Sequence, residues 1–169
     1  MTRLRTLCFG AQARLCLTIL ASLLLAACES RDVTTDLKIV NVQTGWYDTG
    51  IIEGGMNKLV PSISLELENV SARDIASVQV NAVFKRAGEQ ESWGDHFVRA
   101  IDSSGLDAHA HTQPIVLRSP RGYTGAEARQ QMLQNSQFVD ARVEIFGKHG
   151  RRTWAKMGEF AIDRRLLTR

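Results

Sequence analysis

Cysteine is absent from most of this sequence. The chain of 169 residues has three cysteines, and the last of them is Cys28. Residues 29–169 can therefore form no disulfide, no cysteine-ligated metal site and no cysteine nucleophile. We expect the burial of apolar side chains to stabilise the fold without covalent support.

Recognisable catalytic motifs are missing as well. The sequence contains no G-x-S-x-G nucleophile elbow, and its glycines do not have the spacing of a phosphate-binding loop. The acidic residues are scattered, so no two of them stand out as an acid–base pair. We therefore expect a protein that is not an enzyme.

Excess charge of one sign is lacking beyond the first 27 residues. The full chain has 21 Lys+Arg and 18 Asp+Glu. Arg3, Arg5 and Arg14 lie in the N-terminal segment, and without it the chain has 18 residues of each sign. A balanced charge gives no electrostatic reason to expect nucleic-acid binding. The arginine pairs at 151–152 and 164–165 are interpreted as solvated surface clusters.

One apolar run is present near the N-terminus. Leu15–Leu25 follows the three arginines, and Ala26, Ala27 and Cys28 follow the run. With about 11 residues it is too short to span a bilayer, which needs about 20. A basic segment, a short apolar run and small residues are typical of a cleaved signal peptide. An uncleaved anchor helix and an ordinary secretory signal are the alternatives.

Residues 25–28, Leu-Ala-Ala-Cys, resemble the lipobox of bacterial lipoprotein signal peptides. The resemblance implies that residues 1–27 are removed and that the thiol of Cys28 carries covalent lipid, with no other cofactor. It places the domain outside the cytoplasm and anchors it to a membrane. Glu29 replaces the Asp that tends to retain lipoproteins in the inner membrane, so the outer membrane is slightly favoured.

Strand-like segments dominate the rest of the chain. Residues 29–36 are polar and predict a flexible tether, so the domain is expected over 37–169. Apolar side chains occupy every second position in Ile63–Glu68 and in Val78–Lys85, as in half-buried strands. Pro114 indicates an edge position for its strand. Further strands are predicted over Leu37–Tyr47, Ser92–Ile101, Thr112–Ser119, Phe138–Phe146 and Arg152–Ile162.

One helix and one hairpin turn are predicted in the C-terminal part. Thr124 and Glu127 have the spacing of a capping box, which predicts a helix over Ala126–Asn135. Residues 147–150, Gly-Lys-His-Gly, predict a hairpin turn. About seven strands with one short inserted helix and no internal repeat indicate an all-β protein built as a β-sandwich.

Three spacings in residues 60–123 carry a resemblance to known domains. They are Ile63-x-Leu65-x-Leu67-x-Asn69-x-Ser71, Ile75-x-x-Val78-x-Val80 and Ser119-x-x-Gly122-Tyr123. The segment resembles the small Ig-like sandwich families typified by the FxLYD and the type 2 late-embryogenesis-abundant domains. The resemblance implies an Ig-like antiparallel β-sandwich without a catalytic role.

Asp107, His109 and His111 occupy alternate positions of the sequence. On an extended strand they would face one way, as the ligands of a divalent metal ion must. Asp95 or His96 could supply a fourth ligand after folding. The alternative is a polar stretch that enters a strand with its side chains in water.

Gly45–Lys58 combines glycines with large apolar side chains and predicts a long loop. Such a loop either closes one end of the core or binds a partner or lipid. Trp93 and Trp154, outside this segment, are expected in the core or at its rim. The candidate binding residues of the loop are Trp46, Tyr47, Ile51, Ile52 and Met56.

These observations favour a lipid-anchored, non-catalytic interaction or accessory module of the bacterial cell envelope. Its expected partners are the membrane and another envelope protein, contacted through the 45–58 segment and through an exposed sheet edge that accepts a strand. A carrier or sensor of lipid or apolar ligands is the second hypothesis. A metal-dependent enzyme that uses His109 and His111 is the third.

Overall fold

The computed structural model describes residues 32–167, so the predicted signal segment, Cys28 and Glu29 lie outside the described part. Within it, no helix is long and apolar enough to cross a membrane. The helices are α1 (Val33–Asp36) and α2 (Arg129–Gln134). The strands are β1 (Leu37–Ile51), β2 (Asn57–Asn69), β3 (Val78–Arg86), β4 (Gly94–Ile101), β5 (Ile115–Arg118), β6 (Tyr123–Gly125), β7 (Ala141–His149), β8 (Ala155–Ala161) and β9 (Leu166–Leu167).

These strands form two sheets. The first has the order β5-β2-β1-β9, with the short β6 also paired to β2, and the second has the order β4-β3-β7-β8. The pairs are antiparallel except for β1 and β9, which run parallel. The prediction of an all-β sandwich is therefore confirmed.

Alternating side chains of the two sheets build the core between them. On β3, Val78, Val80, Ala82 and Phe84 are fully buried, and the side chains between them face outwards. Residues 63–67 of β2 alternate in the same way, and Ile63, Leu65 and Leu67 enter the same hydrophobic cluster. Full burial of one such side chain contributes about 1.5–3 kcal/mol. The period-2 prediction for both segments is confirmed.

The edge prediction for the strand after Pro114 is also confirmed. Ile115–Arg118 pairs with β2 alone and forms the outer strand of the first sheet. Proline has no N–H to donate to a neighbouring strand. It is therefore tolerated beside an edge strand, which pairs on one side only.

The predicted tether over 29–36 is wrong for its last residues, because Val33–Asp36 forms α1. The Asp32 carboxylate caps this helix by accepting a hydrogen bond from the Thr34 N–H at 3.2 Å. Val33 is buried and belongs to the core. The packed domain therefore begins about five residues earlier than the polar composition indicates.

The predicted loop over 45–58 is wrong too. Most of it belongs to β1 and β2, which a 3-10 turn at Glu53–Gly55 joins into a hairpin. Gly45 lies inside β1 and does not end the strand. A Cβ atom at this position would clash with the Leu167 side chain and the Arg165 carbonyl oxygen. Glycine is needed here because the C-terminal segment passes so close.

The predicted capping box is not formed. Thr124 lies in β6 and pairs with Lys58 of β2, and α2 begins only at Arg129, behind an Ala128 cap that makes no side-chain hydrogen bond. Backbone pairing with β2 therefore takes Thr124, the residue that would have capped the helix. The helix is shorter than predicted, and it buries Met132 and Leu133.

The predicted hairpin between β7 and β8 exists, but its turn lies further along the chain. Gly147 and His149 are still paired with β3 as part of β7, and the turn follows at residues 150–153. Met157 and Phe160 pack against the core, and Trp93 lies half-buried at the rim as expected. Trp154 instead remains 38% exposed.

Candidate functional site

The turn of the β1–β2 hairpin presents apolar side chains to solvent. Ile51 is 70% exposed and Met56 37% exposed, with the half-buried Ile52 between them. We call residues 50–57 the hairpin tip. The Ile52 N–H donates a hydrogen bond to the Met56 carbonyl at 2.8 Å, which closes the turn. Gly54, with a φ of 82°, supplies the left-handed conformation that this reversal needs.

The hairpin tip and the residues that flank it are braced by residues 120–129, between β5 and the start of α2. The Asn57 Nδ2 donates to the Glu127 carbonyl at 2.8 Å, and Arg129 forms an ion pair with Asp48. The Lys58 Nζ donates to the Pro120 carbonyl at 3.1 Å. A turn held on its flanks loses less conformational entropy on binding than a mobile loop.

The structure separates the five predicted binding residues into two groups. Ile51, Ile52 and Met56 lie at the hairpin tip. Trp46 is fully buried in the core, so its assignment as a binding residue is wrong. Tyr47 is half-buried, and the Arg118 guanidinium lies 3.6 Å from the centroid of its ring. The alternation of side chains that begins at Leu37 does not show where β1 ends. For this reason the sequence predicts a loop from Gly45 onwards.

Trp46 belongs to an aromatic cluster that closes the sandwich near α2. Its ring centroid lies 4.6 Å from that of Phe138, 5.6 Å from Tyr123 and 6.2 Å from Trp93. Burial raises the pKa of the Tyr123 hydroxyl, which donates to the Val139 carbonyl at 3.2 Å. These tilted and edge-on contacts suit the quadrupoles of the rings and support a structural role.

The predicted metal site is wrong. Asp107, His109 and His111 do not share one strand. His109 lies in a turn with a φ of 60°, which breaks the alternation that would align them, and His111 forms an isolated bridge with Glu68. No group of three His, Asp or Glu side chains within residues 32–167 could hold a metal ion. His96, considered as a fourth ligand, accepts a hydrogen bond from the Arg118 N–H at 2.9 Å through its Nδ1.

Two crevices were not predicted from the sequence; residues distant in the chain line the first, and residues 123–138 line the second. One lies between α1, β1 and β8 and has a volume of about 280 Å³. Its lining residues are Thr34, Leu37, Lys38, Ile39, Met157 and Phe160. The other, of about 270 Å³, lies between β6 and α2 beside the aromatic cluster.

An aromatic pair on the second sheet was also missed. Phe97, 52% exposed on β4, meets Trp154 edge-to-face with ring centroids 6.1 Å apart. The Lys148 Nζ lies 4.7 Å from the centroid of the Trp154 ring. A signal existed in the sequence, because Phe97 is out of phase with the inward-facing Val98 and therefore points to the outer face of β4.

A network of charged side chains covers the same outer face further from the turn. Glu144 receives the Lys85 Nζ at 2.8 Å and the Lys156 Nζ at 3.0 Å, and these cations lower its pKa. Lys156 also contacts Glu159, and together with Arg142 it lowers the pKa of Glu159 to about 2. The network fixes β3, β7 and β8 to one another, and we assign it a structural role.

No protein-family model matches the chain, and no curated protein matches it either. Among solved structures, the chain is similar to a protein from Archaeoglobus fulgidus that is known from a crystal structure. The two are 14% identical, the match covers 75% of this chain and 98% of that one, and the TM-score is 0.38.

Proposed function

We propose that this protein is a lipid-anchored lipoprotein of the bacterial envelope that engages another envelope protein through the hairpin tip. The observation that carries the proposal is the position of the tip relative to the N-terminal end of the domain. The proposed lipid on Cys28 lies just before that end, whereas the exposed Ile51 lies at the far end of β1.

The length of β1 sets the reach of the tip. The strand has 15 residues, and a rise of about 3.3 Å per residue gives it a length of up to about 45 Å. A domain anchored beside α1 would therefore hold its hairpin tip well away from the bilayer surface. At that distance the hairpin tip can contact the part of a membrane-bound partner that projects from the bilayer.

The chemistry of the tip suits a protein partner. Aliphatic and Met side chains gain about 25 cal/mol for each Å² that a partner covers, and Met is enriched in interface cores. Single exposed apolar residues are common on protein surfaces. Here Ile51, Ile52 and Met56 lie within six residues of one another on a braced turn, which offers a small anchor for a partner's pocket.

The test compares partner recovery with folding. Ile51→Ser combined with Ile52→Ser in the full chain should lower, several-fold, the recovery of crosslinked envelope proteins from native membranes, as measured by mass spectrometry. The unfolding midpoint should stay unchanged. Val139→Ser, at an exposed apolar position between α2 and β7, is the matched control. Unchanged recovery would overturn the proposal, and global unfolding of the double variant would assign the tip a structural role.

The lipid anchor is tested separately. Cys28→Ser should abolish lipid attachment, seen as the loss of the acyl mass from the N-terminal peptide, and should release the protein from membranes. Separation of inner and outer membranes then locates the wild-type protein, for which Glu29 slightly favours the outer one. A wild-type N-terminal peptide without lipid would contradict the anchor.

The crevice between α1, β1 and β8 favours a second function, the binding of a lipid or another apolar ligand. Its volume of about 280 Å³ is close to the lower end of small-molecule sites, about 300 Å³, and Leu37, Ile39, Met157 and Phe160 give it an apolar lining. Mass spectrometry of the lipids that copurify with the wild-type protein and with the Gly158→Ala variant, which is altered beside the crevice, tests this second function. Specific lipid enrichment without a protein partner would favour the carrier.

A further inference from the structure

The chain enters the domain beside the β7–β8 turn. The Cγ1 of Val33 in α1 lies 3.3 Å from the position that a Cβ on Gly147 would occupy. Gly147 pairs with Ala155 across the hairpin, and the turn at residues 150–153 lies just beyond that pair. The N-terminal end of the domain and the β7–β8 turn therefore lie at the same end of the sandwich.

A lipid on Cys28 would hold this end close to a bilayer. Asp32, the first described residue, is four positions after Cys28. An extended chain covers at most about 3.6 Å per residue, so the lipidated residue lies within about 14 Å of Asp32. This reach is less than two Debye lengths of about 8 Å at physiological salt, so charges at this end act on the membrane surface through partial screening.

The β7–β8 turn, taken together with the strand ends beside it, is basic and aromatic. Residues 145–158 contain four Lys or Arg and no Asp or Glu. Arg151 is exposed in the turn, and Lys148 lies over the exposed ring of Trp154, which Phe97 supports from β4. Tryptophan beside lysine and arginine is the side-chain chemistry that favours the headgroup region of a bilayer.

We infer that the β7–β8 turn binds an anionic phospholipid surface, with Trp154 among the headgroups and with Lys148 and Arg151 on the lipid phosphates. The inference rests on the proposed Cys28 anchor, which supplies the proximity. On the same outer face, Glu144 and Glu159 are occupied by Lys85, Lys156 and Arg142, and the exposed Asp95 lies level with Glu144, away from the turn. The bound turn would orient the domain with its hairpin tip away from the bilayer.

Fluorescence quenching by brominated lipids tests the contact. The lipidated full-length mature protein is reconstituted into vesicles of phosphatidylcholine alone or of phosphatidylcholine with phosphatidylglycerol, both carrying brominated acyl chains. Tryptophan fluorescence should be quenched in the vesicles with phosphatidylglycerol. The quenching should vanish in Trp154→Phe, because Trp46 is buried and Trp93 half-buried inside the domain. Arg151→Glu should lose at least half of it, and added salt should do the same.

Arg121→Glu, an equal charge reversal at an exposed position away from the turn, is the matched control and should keep the quenching. Absent quenching of Trp154, or equal quenching with and without phosphatidylglycerol, overturns the inference. Flotation of the protein with the vesicles reports the anchor independently. Protein that floats without quenching overturns this inference alone, and protein that does not float overturns the proposed anchor as well.

Discussion

Gly122 lies directly against the backbone of Leu59, so that a Cβ atom at position 122 would overlap the Leu59 carbonyl oxygen. Backbone rather than a flexible side chain fills this space, and neither segment can move without disturbing the pairing of β2 with β6. We predict that Gly122→Ala lowers the free energy of unfolding by about 1–3 kcal/mol, the usual cost of overpacking.

Urea denaturation of the Gly122→Ala variant measures this effect. Arg121→Ala, at the exposed neighbouring position, is the control and should change stability by less than about 0.5 kcal/mol. An alanine at 122 that behaves like the control would show that the chain relaxes there without cost.

Asn69 ties the β2–β3 loop to the β4–β5 loop from a fully buried position. Its Nδ2 donates to the carbonyls of Arg73, Leu106 and Asp107 at 2.8–3.1 Å, and its Oδ1 accepts from the N–H and Oγ of Ser71. Asn69→Ala leaves these groups unpaired, so we predict a loss of about 2–3 kcal/mol. Thermal unfolding measures it.

Two further variants sharpen this prediction. Asn69→Asp keeps the shape but directs a carboxylate at carbonyl oxygens, so its stability should recover partly when acid protonates the side chain. Asn57→Ala removes an amide whose hydrogen bond is exposed, and it should stay within about 0.5 kcal/mol of wild type. Equal effects at both positions would refute the assigned role of Asn69.

Acid should weaken the charge network on the second sheet. Lys85 and Lys156 lower the pKa of Glu144, and Lys156 and Arg142 lower that of Glu159 to about 2, both from 4.5. Carboxyl groups whose pKa is lower in the folded state stabilise it above about pH 4.5. That contribution disappears as the pH falls through the folded-state values towards 2.

Lys156→Met removes the cation that both carboxylates share. The variant should be less stable than wild type at neutral pH, and the difference should shrink as the pH falls from 4.5 towards 2. Urea midpoints across this range measure it, with Lys38→Met on β1 as the control. A difference that is independent of pH would contradict the ionic origin.

Arg164 should stabilise the end of the domain near α2. It donates to the Asp140 carboxylate at 2.6 Å and to the Phe138 carbonyl at 2.9 Å, and it lies over the Phe138 ring. Arg164 is exposed, as interpreted from the sequence, and these contacts hold its side chain in place. Arg164→Ala should lower the thermal midpoint more than Arg151→Ala does, and Arg164→Lys should recover only part of the loss, because lysine lacks the planar guanidinium. Equal midpoints for the two alanine variants would contradict this.

The strands could be predicted from the sequence wherever one face is buried. In Val78–Arg86 each inward residue is apolar and its neighbour polar or half-exposed, so the period of 2 is visible without the fold. The edge position after Pro114 could be predicted as well, since it depends on one missing donor. Both features depend only on residues that are close together in the sequence.

The errors arose where distant segments decide the conformation. Gly45 is a strand residue because Leu167 packs on it, and Thr124 is in a strand because Lys58 lies beside it. The metal prediction assumed an extended chain, which the left-handed conformation of His109 breaks. Only Ile51, Ile52 and Met56 of the predicted site came together, because they share one short turn.

The parallel pairing of Leu166–Leu167 with Trp46–Tyr47 joins the last strand to the first. The Arg165 carbonyl, just before β9, also accepts a hydrogen bond from the Trp46 N–H at 2.8 Å. Contacts between residues so far apart in sequence form slowly, and they need both segments at once. A chain that is still being synthesised cannot close this side of the first sheet until residue 167 has emerged, so folding is completed only after nearly the whole described domain has been made.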